Sequence, residues 1–274
     1  MPYPRAHYWI LLFLPPLVVA FWPTYFAPAA TVQPALHVHG ITALLWLGLI
    51  ACQSWLIHNG RVAFHKQVGQ ASFFLFPAFM AGLFMVIHTN AVGLAGEPDA
   101  VRIGVGPNFS AVSAVVILTI GLFYFSALKT RSAVQLHARY LLATPILLIE
   151  PVTSRLISNF VPALAPSRDP AVTIANFSWA YYLSMSFVFG FTLFLYLRDR
   201  DHGRPFRLLA VLILVQVASY ELLGGRAWWK DAIIAAFNRP MATVVTAGLA
   251  TGALIVWLGW STSSRLEFTR PGDN

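Results

Sequence analysis

About eight stretches of this 274-residue chain are apolar and close to the roughly 20 residues needed to cross a bilayer as a helix. They fall at about 8–26, 36–57, 70–91, 108–128, 135–158, 173–197, 206–223 and 241–260. The segments between them are short, leave no room for a soluble domain and show no repeat. The pattern predicts an all-α polytopic transmembrane helix bundle, with residues 1–274 forming a single integral membrane domain. Charged residues make up only 10% of the chain against 58% hydrophobic, whereas a soluble domain carries about 25% charged. The solvent for such a surface is lipid. A signal peptide is the alternative reading of the first run, since Arg5 precedes it and "APAAT" follows it. Its length favours a retained span, kinked at Pro15-Pro16 and tolerated there by neighbouring helices.

Basic residues give the expected orientation. With the N-terminus in the cytoplasm, the inner loops and tails hold Arg5, Arg61, Lys66, Lys129, Arg131, Arg198, Arg200, Arg204, Arg207, Arg265 and Arg270, eleven in all. The outer loops hold five: Arg102, Arg168, Arg226, Lys230 and Arg239. This bias places both termini inside. The net charge of +8 comes from scattered loop residues and forms no patch, so it reads as topology control and no nucleic-acid partner is expected. Cys52, the single cysteine, lies in an apolar run and has no disulfide partner.

The histidines then acquire positions. His37, His39 and His88 fall at the outer ends of the second and third spans, and His58, His65 and His137 at the inner side. At 1.5 Å per residue, His39 and His58 stand roughly 28 Å apart, about the hydrocarbon thickness. On a helix, His39, Ala43, Trp46, Ile50 and Gln53 share one stripe, with His37 nearly opposite. A stripe of His, Trp and Gln through a span is expected to face the bundle. Pro77, Ala81, Phe84, Met85 and His88 likewise share a face of the third span.

The fifth span, "LHARYLLATPILLIEPVTSRL", carries Arg139, Glu150 and Arg155. An acid at such depth costs at least about 2.5–3.5 kcal/mol on insertion scales, so Glu150 should face the interior and have a partner. Pro145 and Pro151 lack amide hydrogens, which frees the carbonyls of Leu141 and Leu147. Glu150, Arg155, Glu221 and Gln53 are therefore expected to form a polar centre, with Arg155 neutralising either acid. A Glu–Arg pair that only closes the bundle is the plainer alternative.

Imidazole with carboxylate suits copper, iron or zinc, and two imidazoles on facing helices suit a haem b. His39 and His88 are the candidate ligands. His65 and His137, in "GRVAFHKQVG" and "LHAR", form a second, inner candidate, although these segments also place Arg61, Lys66 and Arg139 for lipid phosphates. No CxxCH, HExxH, Walker or GxSxG motif is present to decide the chemistry.

The string "HVHGITALLWLGLIACQSWLIHNGRVAFHKQVG", His37 through Gly69, resembles an HxHG…W…Q…GRxAxHxxxG pattern of uncharacterised multi-pass bacterial inner-membrane proteins. "LHARYLLAT" with "EPVTSRL" is similar to their HRRLMLAT stretch, with Ala138 interrupting the commoner HRR form. The resemblance covers about a quarter of the chain. It implies a bacterial inner-membrane protein with functional histidines, loosely akin to oxidase-assembly proteins, and transfers no catalytic residue. Three functions remain open: a haem- or metal-associated redox or oxidase-assembly role at the outer leaflet, a transporter or binding protein for a small or lipid-like molecule, and a structural subunit partnered by other membrane proteins.

Overall fold

The computed structural model describes residues 2–262. Arg265 and Arg270, which the orientation argument uses, lie outside them. Ten α-helices make up most of the described residues, and no strand occurs among these. They are α1 (Ala6–Phe21), α2 (Pro34–His58), α3 (Val62–Ala95), α4 (Ala100–Lys129), α5 (Val134–Ile146), α6 (Ile149–Phe160), α7 (Pro170–Arg198), α8 (Arg204–Gly224), α9 (Ala227–Phe237) and α10 (Met241–Ser261). Taking α5 and α6 as two halves of one segment, eight helices among the described residues are long and apolar enough to cross a membrane.

Local chemistry sets the ends. Asp99 caps α4 by accepting from the Arg102 amide at 2.7 Å, and Asp169 caps α7 from the Ala171 amide at 2.9 Å. Pro34 and Pro170 open α2 and α7, where an amide is not needed. Gly60, at φ 70°, makes the tight turn from α2 into α3. Helix α3 runs through 34 residues, well beyond the expected 70–91. Its first turns are largely exposed, because a helix satisfies its own backbone beyond the apolar stretch. Helix α1 continues through Pro15 and Pro16, and the irregularity falls after it, in a π turn over Trp22–Phe26.

Short connections make successive spans antiparallel. The turns at 59–61, 130–133 and 199–203 gather at one end with the start of α1 and the close of α10. Arg61, Lys129, Arg131, Arg198 and Arg200 make this the basic end. Helix α9 lies at the opposite end, pinned by the Trp229 indole donating to the Pro107 carbonyl at 3.0 Å.

Between lipid-exposed helices there is little hydrophobic drive, so packing depends on small residues and interhelical hydrogen bonds. Gly248 and Gly252 let α10 rest on the backbone of α3: a Cβ there would lie 2.5 Å from Ala81 Cα and 2.4 Å from Pro77 Cα. Gly82 admits α2 in the same way, against Thr42 and the backbone of His39. At mid-bundle, Trp46, Phe76, Phe79 and Tyr124 form an aromatic plug, with Trp46 at 5.2–5.7 Å from the other three ring centroids. All four are at most 1% exposed.

Candidate functional site

The fifth span is not one kinked helix but two, broken at Leu147 and Leu148. Pro145 cannot donate to the Leu141 carbonyl, and that carbonyl is not left free: the Thr144 hydroxyl donates to it at 2.8 Å. The same hydroxyl accepts from the Trp46 indole at 2.9 Å, tying the end of α5 to α2. Beyond it the Leu148 amide reaches only the Pro145 carbonyl, at 3.0 Å, and a new helix starts at Ile149. Pro151 falls in the first turn of α6, where its missing amide is harmless.

Glu150 therefore stands in the first turn of a half-helix buried in the membrane segment, where the helix dipole favours negative charge. Its Oε1 is buried and has no hydrogen-bond partner. The expected contact with Arg155 does not form. Arg155 Nη1 donates to the Pro151 carbonyl at 2.8 Å, and the guanidinium lies 4.2 Å from the centroid of the Phe21 ring in α1. The only ion pairs among the described residues are those of Asp199 with Arg139 and His202. Arg155 is still near enough for its charge to act on both Glu150 and His39.

His39 is half-buried on α2, with its Nδ1 buried and unpartnered. His37, on the other side of the helix, bonds the Tyr25 hydroxyl through Nδ1 at 2.8 Å. His88 is buried, and its Nδ1 donates to the carbonyl of Phe237 at the end of α9, 2.7 Å away. His39 thus has no fixed partner, whereas His88 is fastened to α9. Among the described residues no three His, Cys, Asp or Glu side chains gather so as to hold a metal ion.

The remaining candidates separate. Glu221 is exposed and accepts a hydrogen bond from the Tyr182 hydroxyl, so it lies outside the interior polar centre. Gln53 is buried at the basic end and donates to the His65 carbonyl at 3.0 Å. It joins His65 and His137, which line one cavity with it. Arg139, expected at lipid phosphates, is instead 3% exposed and paired with Asp199, and its Nη1 also donates to Gln135 Oε1 at 2.6 Å.

Sequence reasoning missed Tyr181. This phenol is fully buried, its hydroxyl is unpartnered, and it is close enough to feel the charge of Glu150. Its ring stacks on that of Tyr220 at 4.5 Å, whose hydroxyl pairs with Ser178 Oγ at 2.9 Å. The available signal was the helical spacing of Tyr181, Ser184, Val188 and Thr192, all buried along α7.

Among the described residues, eight helices able to span a membrane, one of them broken beside a half-buried acid, define a multi-pass integral membrane protein whose solvent is the bilayer. Comparison of the chain with protein-family models, with curated proteins and with solved structures finds no match.

Proposed function

We propose that this protein, seated in a bacterial inner membrane with its basic end in the cytoplasm, binds and carries a small polar solute at the break between α5 and α6. One observation carries the reading: Glu150 holds a buried, unpartnered carboxylate oxygen at the start of a half-helix. Intramembrane acids are expensive and mark substrate or ion paths, and discontinuous helices build the midplane sites of many transporters. Glu150 Oε1 accepts, the Tyr181 hydroxyl donates or accepts, and His39 Nδ1 takes either role with its tautomer. That set fits a solute with N–H or O–H donors. Arg155 offsets the carboxylate charge without occupying its oxygen.

Two measurements test it. Dicyclohexylcarbodiimide, which partitions into lipid, should modify Glu150 in the intact protein. Ammonium, methylamine and neutral amino acids, screened by thermal shift, should include a compound that stabilises the wild type and protects Glu150, and this effect should vanish in Glu150→Gln. An unreactive Glu150, or equal responses from wild type and variant, would overturn the proposal.

A haem b or a copper, iron or zinc ion at His39 and His88 is the second reading. It is favoured by the bond from His88 Nδ1 to a carbonyl, which leaves Nε2 as the lone pair, the usual arrangement behind a metal ligand. It requires the His39 ring on α2 and the His88 ring, fastened to the end of α9, to meet on one ligand. A Soret band, or bound metal lost in both His39→Ala and His88→Ala, would establish it over the first reading.

A further inference from the structure

At the end of the bundle opposite the basic one, the close of α3 and the start of α4 flank a groove of about 380 Å³, open along one side and reaching the first turn of α2. Its charged residues stand at the helix ends and its apolar ones deeper. Asp99 caps α4, and Arg102 lies in the first turn of that helix. Val86 of α3 and Val105 and Phe109 of α4 line the groove further in; at 1.5 Å per residue, Val86 and Phe109 are roughly 14 Å from those helix ends. Helix α4 has 30 residues, so it runs about 45 Å, the thickness of a bilayer with its headgroups. Asp99 and Arg102 therefore stand at headgroup depth, and Val86 and Phe109 at the depth of acyl chains.

The two charges do not pair with each other. Among the described residues ion pairs form only around Asp199, and the Arg102 guanidinium has no hydrogen-bond acceptor. Arg102 is half-buried and lies across Gly93 of α3, where a Cβ would stand 1.5 Å from Nη1. The seat exists because residue 93 has no side chain. Asp99 spends Oδ1 on the Arg102 amide, 2.7 Å away, which leaves Oδ2. Asn90, on the groove wall one turn before Gly93, spends Nδ2 on the Gly106 carbonyl at 2.7 Å and Ser110 Oγ at 2.6 Å, which leaves Oδ1. Both this oxygen and the guanidinium nitrogens stay accessible, unlike the sealed polar atoms elsewhere in the bundle. The groove thus offers one fixed cation and two acceptors, one of them anionic, above an apolar floor.

We infer that this groove is a binding site for a zwitterionic phospholipid, phosphatidylethanolamine. The guanidinium of Arg102 takes the phosphodiester, whose oxygens suit its fork of N–H groups. The primary ammonium has three N–H donors and gives them to Asp99 Oδ2 and Asn90 Oδ1. The acyl chains leave along Val86, Val105 and Phe109. Other occupants fit less well. A bare anion would sit beside Asp99 and a bare cation beside Arg102, each facing like charge. Phosphatidylglycerol brings no positive charge to Asp99, and the quaternary ammonium of phosphatidylcholine has no N–H to donate. A soluble zwitterion would leave the apolar floor uncovered. The inference is independent of the role of Glu150, because α6 contributes nothing to this groove.

Native mass spectrometry of the full chain tests this, with delipidated protein titrated in detergent. The lipids are phosphatidylethanolamine, its N-methylated series through phosphatidylcholine, and phosphatidylglycerol, all with identical acyl chains. The first lipid bound should be phosphatidylethanolamine, favoured over phosphatidylcholine by about tenfold, the worth of a charge-assisted hydrogen bond. Lipids that merely surround the bundle show no such preference. Asp99→Asn keeps a side chain able to cap α4 and should bind the two lipids equally. Arg102→Gln and Gly93→Ala should both lose the tight first lipid. Equal binding of the two lipids by the wild type, a preference kept in Asp99→Asn, or phosphatidylglycerol bound ahead of phosphatidylethanolamine would each overturn the inference. The methylated series needs no variant, so the wild type alone decides if a variant fails to fold.

Discussion

Gly252→Ala adds one methyl group where α10 crosses α3. Its Cβ would sit 2.4 Å from Pro77 Cα, about 1 Å inside the contact distance at which carbon atoms attract. The obstacle is backbone, and Pro77 lies mid-helix at a buried position, so no side chain can swing aside. Helix α10 must therefore withdraw, and a gap of even 0.5–1 Å forfeits roughly a quarter to a half of the dispersion energy of each neighbouring contact. Overpacking of this kind costs about 1–3 kcal/mol. At roughly 2–4 °C per kcal/mol the unfolding midpoint should fall by about 2–12 °C. Gly190→Ala is the control, because its Cβ would meet nothing within 4 Å. That exchange should leave the midpoint unchanged or raise it, since alanine is favoured over glycine within a helix by about 0.5–1 kcal/mol. Thermal unfolding in detergent can be followed through the reaction of Cys52, the single cysteine, half-buried in α2, with a fluorogenic maleimide. Equal midpoints for the two variants would refute the argument that backbone contact at Gly252 seats α10.

Three further outcomes are expected. Glu150→Leu should keep the fold far better than Arg155→Leu, since the half-buried guanidinium stays held by the Pro151 carbonyl and the Phe21 ring without the acid, whereas Arg155→Leu removes both contacts; size-exclusion profiles of the two variants check this, and equal loss would contradict it. At the basic end, partial burial raises the Asp199 carboxyl, but the His202 amide and then the Arg139 guanidinium outweigh it and hold the group below its ordinary value. The folded pKa is thus the lower one, so this stabilisation is complete above the unfolded value of about 3.9 and is lost as the pH falls through the folded value. Asp199→Asn should flatten that acid limb of the thermal stability profile, and an unchanged limb would remove the pair as its cause. If the basic end is cytoplasmic, cysteine at position 97 should react with an impermeant maleimide from outside and cysteine at 200 should not, in a background with Cys52 replaced; the reverse pattern would invert the topology.

The spans were legible in the sequence because hydrophobicity is local and additive: twenty apolar residues need no knowledge of their neighbours to prefer lipid. The inward face of α2 was legible too, and Trp46 and Gln53 are buried on it as their spacing predicts. Only the tertiary structure decided what each polar group meets. His88 finds the Phe237 carbonyl 149 residues away, and Arg139 finds Asp199 60 residues away. Glu150 and Arg155, five residues apart on α6, do not pair, because that spacing turns them roughly 140° apart around the helix and Arg155 turns toward Phe21. Lipid is as apolar as a leucine side chain and does not dictate which helices touch. Rotation and depth are set instead by backbone contacts at Gly82, Gly248 and Gly252 and by bonds such as that from Trp46 to Thr144. Those contacts join residues far apart in the chain, so they gather the histidines of the basic-end cavity and leave Glu150 Oε1 without a hydrogen-bond partner for reasons that no single stretch of sequence contains.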